Sequence, residues 1–153
     1  MPEPIRILCV DDEPKILNVI RRQFFGEDVE VHVALTVEEA FGILRRVRPI
    51  HVVVSDYRMP GMNGLEFLGR VSGDWPAVVG IVISGYADVS AVQQALDKKG
   101  LFQFIAKPWK AGEMRKAVAG AAALSLARLA GGKRATTIEP AAAAGLRKEA
   151  DPS

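Results

Sequence analysis

Short runs of β-branched and aliphatic residues alternate along the chain with longer stretches in which apolar positions recur at helical spacing, five times over. The runs Ile5 to Val10, Val29 to Ala34, His51 to Ser55, Val78 to Ile83 and Leu101 to Ala106 predict strands. The first, third and fourth are the most continuously apolar, the pattern of strands covered on both faces, which puts them at the centre of a sheet. Between the strands, Ile16, Leu17, Ile20 and Phe24 share one helical face, as do Ala40, Phe41, Leu44 and Val47. Thr36 followed by Glu39 reads as a capping box, and Asn63 followed by Glu66 is a similar signal for a third helix. A fourth helix is predicted from Asp88 as N-cap through Val92 and Leu96 to Gly100, and a fifth from Ala111 to Leu129. Strands that alternate with helices in this way build a doubly wound α/β domain around a parallel sheet.

The pattern ends near Gly131. Beyond it the composition turns to Lys133-Arg134-Ala135-Thr136-Thr137 and an alanine-rich end, so residues 1–130 are expected to form one domain and 131–153 a tail or severed linker. A helix over Pro140 to Glu149 has alanine propensity in its favour, but a helix that short is marginal without a surface to pack on. With 153 residues, 49% apolar and 25% charged, the chain has the make-up of one soluble globular domain with a proper core. A net charge of +2, with acids and bases intermixed, supplies no electrostatic case for nucleic acid or an anionic membrane. The single cysteine, Cys9, rules out an intramolecular disulfide. No apolar run reaches the roughly eighteen residues of a membrane span, and the start Met1-Pro2-Glu3-Pro4 lacks a secretion pattern. A cytoplasmic protein with neither membrane nor nucleic-acid partner is the expectation.

In a doubly wound sheet, ligands bind beyond the carboxyl ends of the strands. The first predicted strand runs into Asp11 and Asp12, the third into Asp56, the fourth into Ser84 and the fifth into Lys107. Carboxylates gathered at one edge repel, and either raised pKa values or a bound cation relieves the repulsion. Oxygen ligands alone favour a magnesium-type ion, whereas zinc would call for histidine or cysteine, and His32 and His51 lie within or at the start of strands. An aspartate can attack phosphorus and form an acyl phosphate when a metal and fixed cations neutralise the transferring group. Asp56 fits the nucleophile, Asp11 and Asp12 the metal ligands, Lys107 a point charge on a phosphoryl oxygen, and Ser84 a hydroxyl donor. Taken singly, each of these residues is more often structural; their common position at strand ends carries the argument.

With these residues in place, the chain over about residues 4 to 130 resembles the receiver domains of two-component response regulators. The resemblance rests on Val10-Asp11-Asp12-Glu13-Pro14, Ser55-Asp56-Tyr57-Arg58-Met59-Pro60-Gly61-Met62-Asn63-Gly64, Ile83-Ser84-Gly85-Tyr86 and Ala106-Lys107-Pro108. It implies a flavodoxin-like (βα)5 sheet of order 2-1-3-4-5, Mg2+ as the ion, and the Arg58 carbonyl as a further metal ligand beside Asp11, Asp12 and Asp56. It also implies a histidine kinase or phosphotransfer protein as phosphoryl donor, Phe104 as an aromatic switch that follows Ser84, and a cis Lys107-Pro108 peptide. Signal output would pass through the fourth helix, fifth strand and fifth helix to a partner or output domain, with a homodimer as one option. Met114, Val118, Ala121 and Leu124, with Ala127 or Leu129, are read as an apolar stripe for that surface. Arg58 and Tyr86, each two residues beyond a site residue, are expected to screen the approach of water to the phosphoryl group.

Two other classes fit less well. A haloacid-dehalogenase-like phosphatase wants an Asp-x-Asp at the first strand, where Glu13 stands in the second place. A receiver-like module that signals without phosphorylation would lack an acid or the lysine. Dinucleotide binding ranks below both, since no G-x-G-x-x-G follows the first strand.

Overall fold

The computed structural model describes residues 3–99 and 103–131, with side chains at all of these except 86 and 95–99. Five strands, β1 (Ile5–Val10), β2 (Val29–Ala34), β3 (Val52–Asp56), β4 (Val79–Ser84) and β5 (Gln103–Ala106), alternate with the helices α1 (Pro14–Gln23), α2 (Val37–Arg46), α3 (Gly64–Asp74), α4 (Val89–Lys99) and α5 (Ala111–Ala130). All pairings are parallel and the order is β2-β1-β3-β4-β5, as expected from the sequence. The central position of β1, β3 and β4 follows from their composition, since a strand covered on both faces can carry few polar side chains.

Alternation along each strand divides the core in two. Ile7, Cys9, Val54, Ile81 and Ile83 pack with Leu17 and Ile20 of α1 and Met114, Val118 and Ala121 of α5. On the other face Leu8, Val10, Val53 and Val82 pack with Ala40 and Leu44 of α2, Phe67 and Val71 of α3, and Val92 of α4.

Several details depart from the sequence expectation. β3 and β4 each begin and end one residue later than expected, because Asp56 pairs with Ile83 and Ser84 with Ala106 in the ladder. Asp56 and Ser84 thus terminate their strands, whereas Asp11, Asp12 and Lys107 follow theirs. The expected end of the fourth helix at Gly100, the start of the fifth strand at Leu101, and the tail from 132 onward with its alanine-rich helix all lie outside the described residues. Thr36 Oγ1 accepts the Glu39 amide at 3.1 Å, but the Glu39 carboxylate reaches back to the Leu35 amide at 2.8 Å instead of to that of Thr36, so this box closes one residue early. Asn63 and Glu66 form a full reciprocal box, at 2.9 and 3.0 Å.

The α5 stripe needs correction: Met114, Val118 and Ala121 are buried in the protein's own core, and Leu124, Leu126 and Leu129 are the exposed positions. The length of α5 has another explanation. Near its C-terminal end Ser125 Oγ donates to the Ala77 carbonyl at 2.7 Å, and the Arg128 guanidinium donates to the carbonyls of Pro76 and Val78 at 3.3 and 3.4 Å. The last turns therefore satisfy backbone groups of the connection between α3 and β4.

Gly64, the first residue of α3, sits where a Cβ would meet the Asp56 carbonyl oxygen at 2.3 Å, while a Cβ at Gly69 in the same helix would meet nothing within 4 Å. Gly64→Ala is predicted to lower stability by about 1–3 kcal/mol through overpacking against backbone. Gly69→Ala should raise it by about 0.5–1 kcal/mol through helix propensity. Urea denaturation of the two variants checks the pair, and a Gly64→Ala protein as stable as wild type would refute the close approach.

Candidate functional site

The sheet positions the side chains at its edge by carrying its hydrogen bonding into the loops. Asp11 donates its amide to the Ala34 carbonyl at 3.1 Å, Tyr57 to that of Ile83 at 2.8 Å, and Lys107 to that of Ser84 at 2.9 Å. Each anchor lies at or next to a residue of interest, so the side chains leave the sheet edge from defined backbone positions. One carboxylate oxygen from each of Asp11, Asp12 and Asp56 lies within 4.8 Å of the others. Lys107 Nζ stands 3.2 Å from Asp56 Oδ1. The Lys107-Pro108 peptide is cis, as expected, and so is Arg48-Pro49, which the sequence reading did not single out.

Electrostatically the cluster is unbalanced. Three carboxylates face one ammonium, which leaves two negative charges uncompensated. Asp11 Oδ1 accepts the Glu13 amide at 2.8 Å, whereas Oδ2 is buried without a partner. Burial pushes the Asp11 carboxyl up to about 6, with the Glu13 amide opposing and the Asp56 charge adding to the shift. Burial also raises Asp56, against the pull of the Lys107 ammonium. A buried carboxylate oxygen that lacks a partner, in a donor set made of oxygen alone, fits a hard divalent cation such as Mg2+. Asp12, exposed where the other two are buried, leaves that position open to solvent and to an incoming group.

Ser84 closes β4 fully buried, and its hydroxyl donates to the Gly85 carbonyl at 3.0 Å instead of reaching toward Asp56. Phe104, opposite Val82 in the ladder, is partly buried against the sheet face that α2, α3 and α4 cover. Ser84 shares that face, two residues from Val82. Arg58 lines an open cleft of about 520 Å³ together with Asp12, Tyr57, Asn63 and Asp88. Its guanidinium is held at that cleft by both oxygens of Asp88, Nε to Oδ2 at 2.7 Å and Nη2 to Oδ1 at 2.9 Å. Each partner pushes the other toward its charged form, raising Arg58 and lowering Asp88. The side chain of Tyr86 lies outside what is described; its backbone belongs to a single 3-10 turn, Tyr86–Asp88, that leads into α4.

The sequence reading assigned Asp88 only a helix start and missed its pairing with Arg58. The signal was weak, since the partners lie 30 residues apart and on different loops. Gly64 was also passed over as a packing residue, although its place at the first turn after an Asn cap was legible. His51 is structural: Nδ1 accepts the Arg6 amide at 3.0 Å and burial lowers its pKa. Cys9 is buried and its thiol is pushed up to about 12, which leaves it unreactive. Among the described residues no helix is long and apolar enough to cross a membrane.

The chain is similar to known proteins in both sequence and fold. Over 103 residues the chain is 40% identical to the hydrogenase transcriptional regulatory protein HoxA of Cupriavidus necator, a match that covers 67% of this chain and 21% of that protein. The response regulator protein PilR of Pseudomonas aeruginosa is 31% identical over 116 residues, 76% of this chain and 26% of PilR. The chain thus spans about a quarter or less of the length of these relatives. Among solved structures, an uncharacterized protein from Neptuniibacter caesariensis superposes with a TM-score of 0.78 at 29% identity, covering 89% of this chain and 97% of that one. A response regulator receiver domain protein from Clostridium thermocellum gives 0.71 at 26% identity, over 77% and 94% of the two chains. The response regulator receiver domain family itself matches residues 7–119, nearly the whole of the described sheet and its helices, and the chain belongs to that family.

Proposed function

We propose that this domain accepts a phosphoryl group on Asp56 from a histidine kinase or phosphotransfer protein and passes the change to a partner or output domain. The observation that carries the reading is the Lys107 ammonium 3.2 Å from Asp56, beside two further carboxylates one of which has a buried oxygen without a partner. An Asp56 oxygen attacks phosphorus as the bond from phosphorus to the donor's imidazole nitrogen breaks. The nitrogen's lone pair leaves with the imidazole, and the product is an acyl phosphate on Asp56. Lys107 now pairs with Asp56 and would pair with a phosphoryl oxygen afterwards, holding a positive charge where negative charge accumulates. Asp11 and Asp12, with Asp56 and the Arg58 carbonyl, would hold Mg2+, which supplies neutralisation of the transferring group. On this reading the reactions the domain promotes are its own phosphorylation and dephosphorylation.

Output depends on the two sheet residues beside the site. The Ser84 hydroxyl, spent on the Gly85 carbonyl before transfer, would turn to a phosphoryl oxygen, and Phe104 would move into the space on the shared face. That face lies under α4, so the surface of α4, β5 and α5 would carry the signal. Residues 1–130 would be the signalling unit and 131–153 a tail or linker. The far greater length of the relatives, two of which are named as regulatory proteins, supports an attached or separate output partner. A cytoplasmic setting fits a kinase as donor.

Incubation with acetyl phosphate and Mg2+ should add one phosphoryl group by intact mass, and Asp56→Asn should add none, because an amide cannot form the acyl phosphate. Full labelling of Asp56→Asn would refute the assignment. Asp12→Ala should weaken Mg2+ binding clearly more than Ser84→Ala, as it removes a charged ligand; equal affinities would argue against the placement.

A pH dependence arises from Asp11. Its folded value of about 6 lies above the usual carboxylate range, so the folded chain retains a proton that the unfolded chain has lost. Its contribution to stability is present below about pH 4, the unfolded value, and is lost as pH rises through the folded one. Mg2+ should therefore raise the melting midpoint at about pH 7.5 and raise it by much less at about pH 5, where protons compete for the same oxygens. Equal shifts at the two pH values, read by scanning calorimetry, would count against Asp11 as a ligand.

A further inference from the structure

The pairing of Arg58 with Asp88 joins the two loops on which the phosphoryl chemistry depends. Arg58 lies two residues after Asp56, and Asp88 four residues after Ser84, in the 3-10 turn that leads into α4. Both line the cleft that also contains Asp12, the exposed member of the carboxylate cluster. The contact is two-pronged, at 2.7 and 2.9 Å, a geometry that a guanidinium offers equally to a carboxylate or to a phosphoryl group.

The two ends of the pair are unequal. The Asp88 side chain is 12% exposed and its backbone is tied to the turn by its amide, which donates to the Gly85 carbonyl at 3.0 Å. The Arg58 side chain is 75% exposed, so its long stem is free to swing. Asp88 is the fixed post and Arg58 the movable arm. An ion pair this exposed is weak. A phosphoryl group of higher charge and three acceptor oxygens, two residues from Arg58, is the stronger competitor for the same fork.

We propose that Asp88 is a positioning residue: it holds the Arg58 guanidinium off Asp56 in the unphosphorylated domain and yields it to the phosphoryl group afterwards. This rests on the phosphoacceptor reading above. Transfer of the arm releases the turn between β4 and α4 from the loop after β3. It thereby couples the state of Asp56 to the segment that begins at Ser84, independently of the serine hydroxyl itself.

The test is a double-mutant cycle on the full chain, with phosphoryl loss after acetyl phosphate labelling as the rate. Asp88→Asn keeps a side chain suited to a helix start and removes the charge. It should free Arg58 for the phosphoryl group and slow phosphoryl loss by about two- to fivefold, the factor to which a surface pair's strength converts. In an Arg58→Ala background the same substitution should change nothing. As a second readout, the Arg58 Nε–H resonance should shift on phosphorylation of the wild type and should already be displaced in unphosphorylated Asp88→Asn. An equal effect of Asp88→Asn in both backgrounds would assign Asp88 a purely structural role and overturn the proposal. So would an Nε–H resonance that phosphorylation leaves in place. Failure of every variant to take up a phosphoryl group would overturn the phosphoacceptor reading and this one with it, whereas uptake with additive effects overturns this one alone.

Discussion

Carboxylates resist burial beside one another, and the whole edge of this sheet is organised around making them accept it. Asp11 and Asp56 are buried, with Asp12 at the rim and one lysine for compensation. Desolvation raises both buried carboxyls, and the Asp11 oxygen without a partner is where the arrangement is least satisfied. Such a site is maintained only because the central strands are rigid and apolar enough to hold the three acids in place. A bound divalent cation would relieve that repulsion directly, by placing positive charge among the carboxylate oxygens.

The surrounding loops are built to keep that tension local. Asn63 and Glu66 cap α3 reciprocally, and Gly64 lets its first turn press against the Asp56 carbonyl, so the loop after Asp56 has little slack. The hydrogen bonds from Tyr57 and Lys107 to β4 fasten the ends of β3 and β5 to the strand that ends in Ser84. Against this rigid background the exposed Arg58 side chain and the Ser84 hydroxyl are both held by partners outside the carboxylate cluster, Asp88 and the Gly85 carbonyl. At the opposite end of the sheet, Ser125 and Arg128 secure α5 to the backbone before β4. The same strand therefore meets the site at one end and the last helix at the other.

Much of this was legible in the sequence because it depends on local periodicity. Alternating apolar runs and helical stripes predicted five strands and five helices, and a parallel sheet collects the residues at its strand ends along one edge whatever the details of packing. That alone brought Asp11, Asp12, Asp56 and Lys107 together, and it marked Asn63 as a cap. What the sequence could not decide were relations between positions far apart in the chain. The partnership of Arg58 with Asp88 spans 30 residues and depends on how two loops lean over one cleft. The direction of the Ser84 hydroxyl is a choice between a neighbouring carbonyl and a distant group, which one residue's identity does not express. The apolar stripe of α5 has the same composition whether it faces solvent, a partner or the sheet, and only the packed structure assigned Met114, Val118 and Ala121 to the core. Local pattern determined which residues stand at the site; the tertiary contacts decided which way each one points, because side-chain direction is set by neighbours that the chain brings together only on folding.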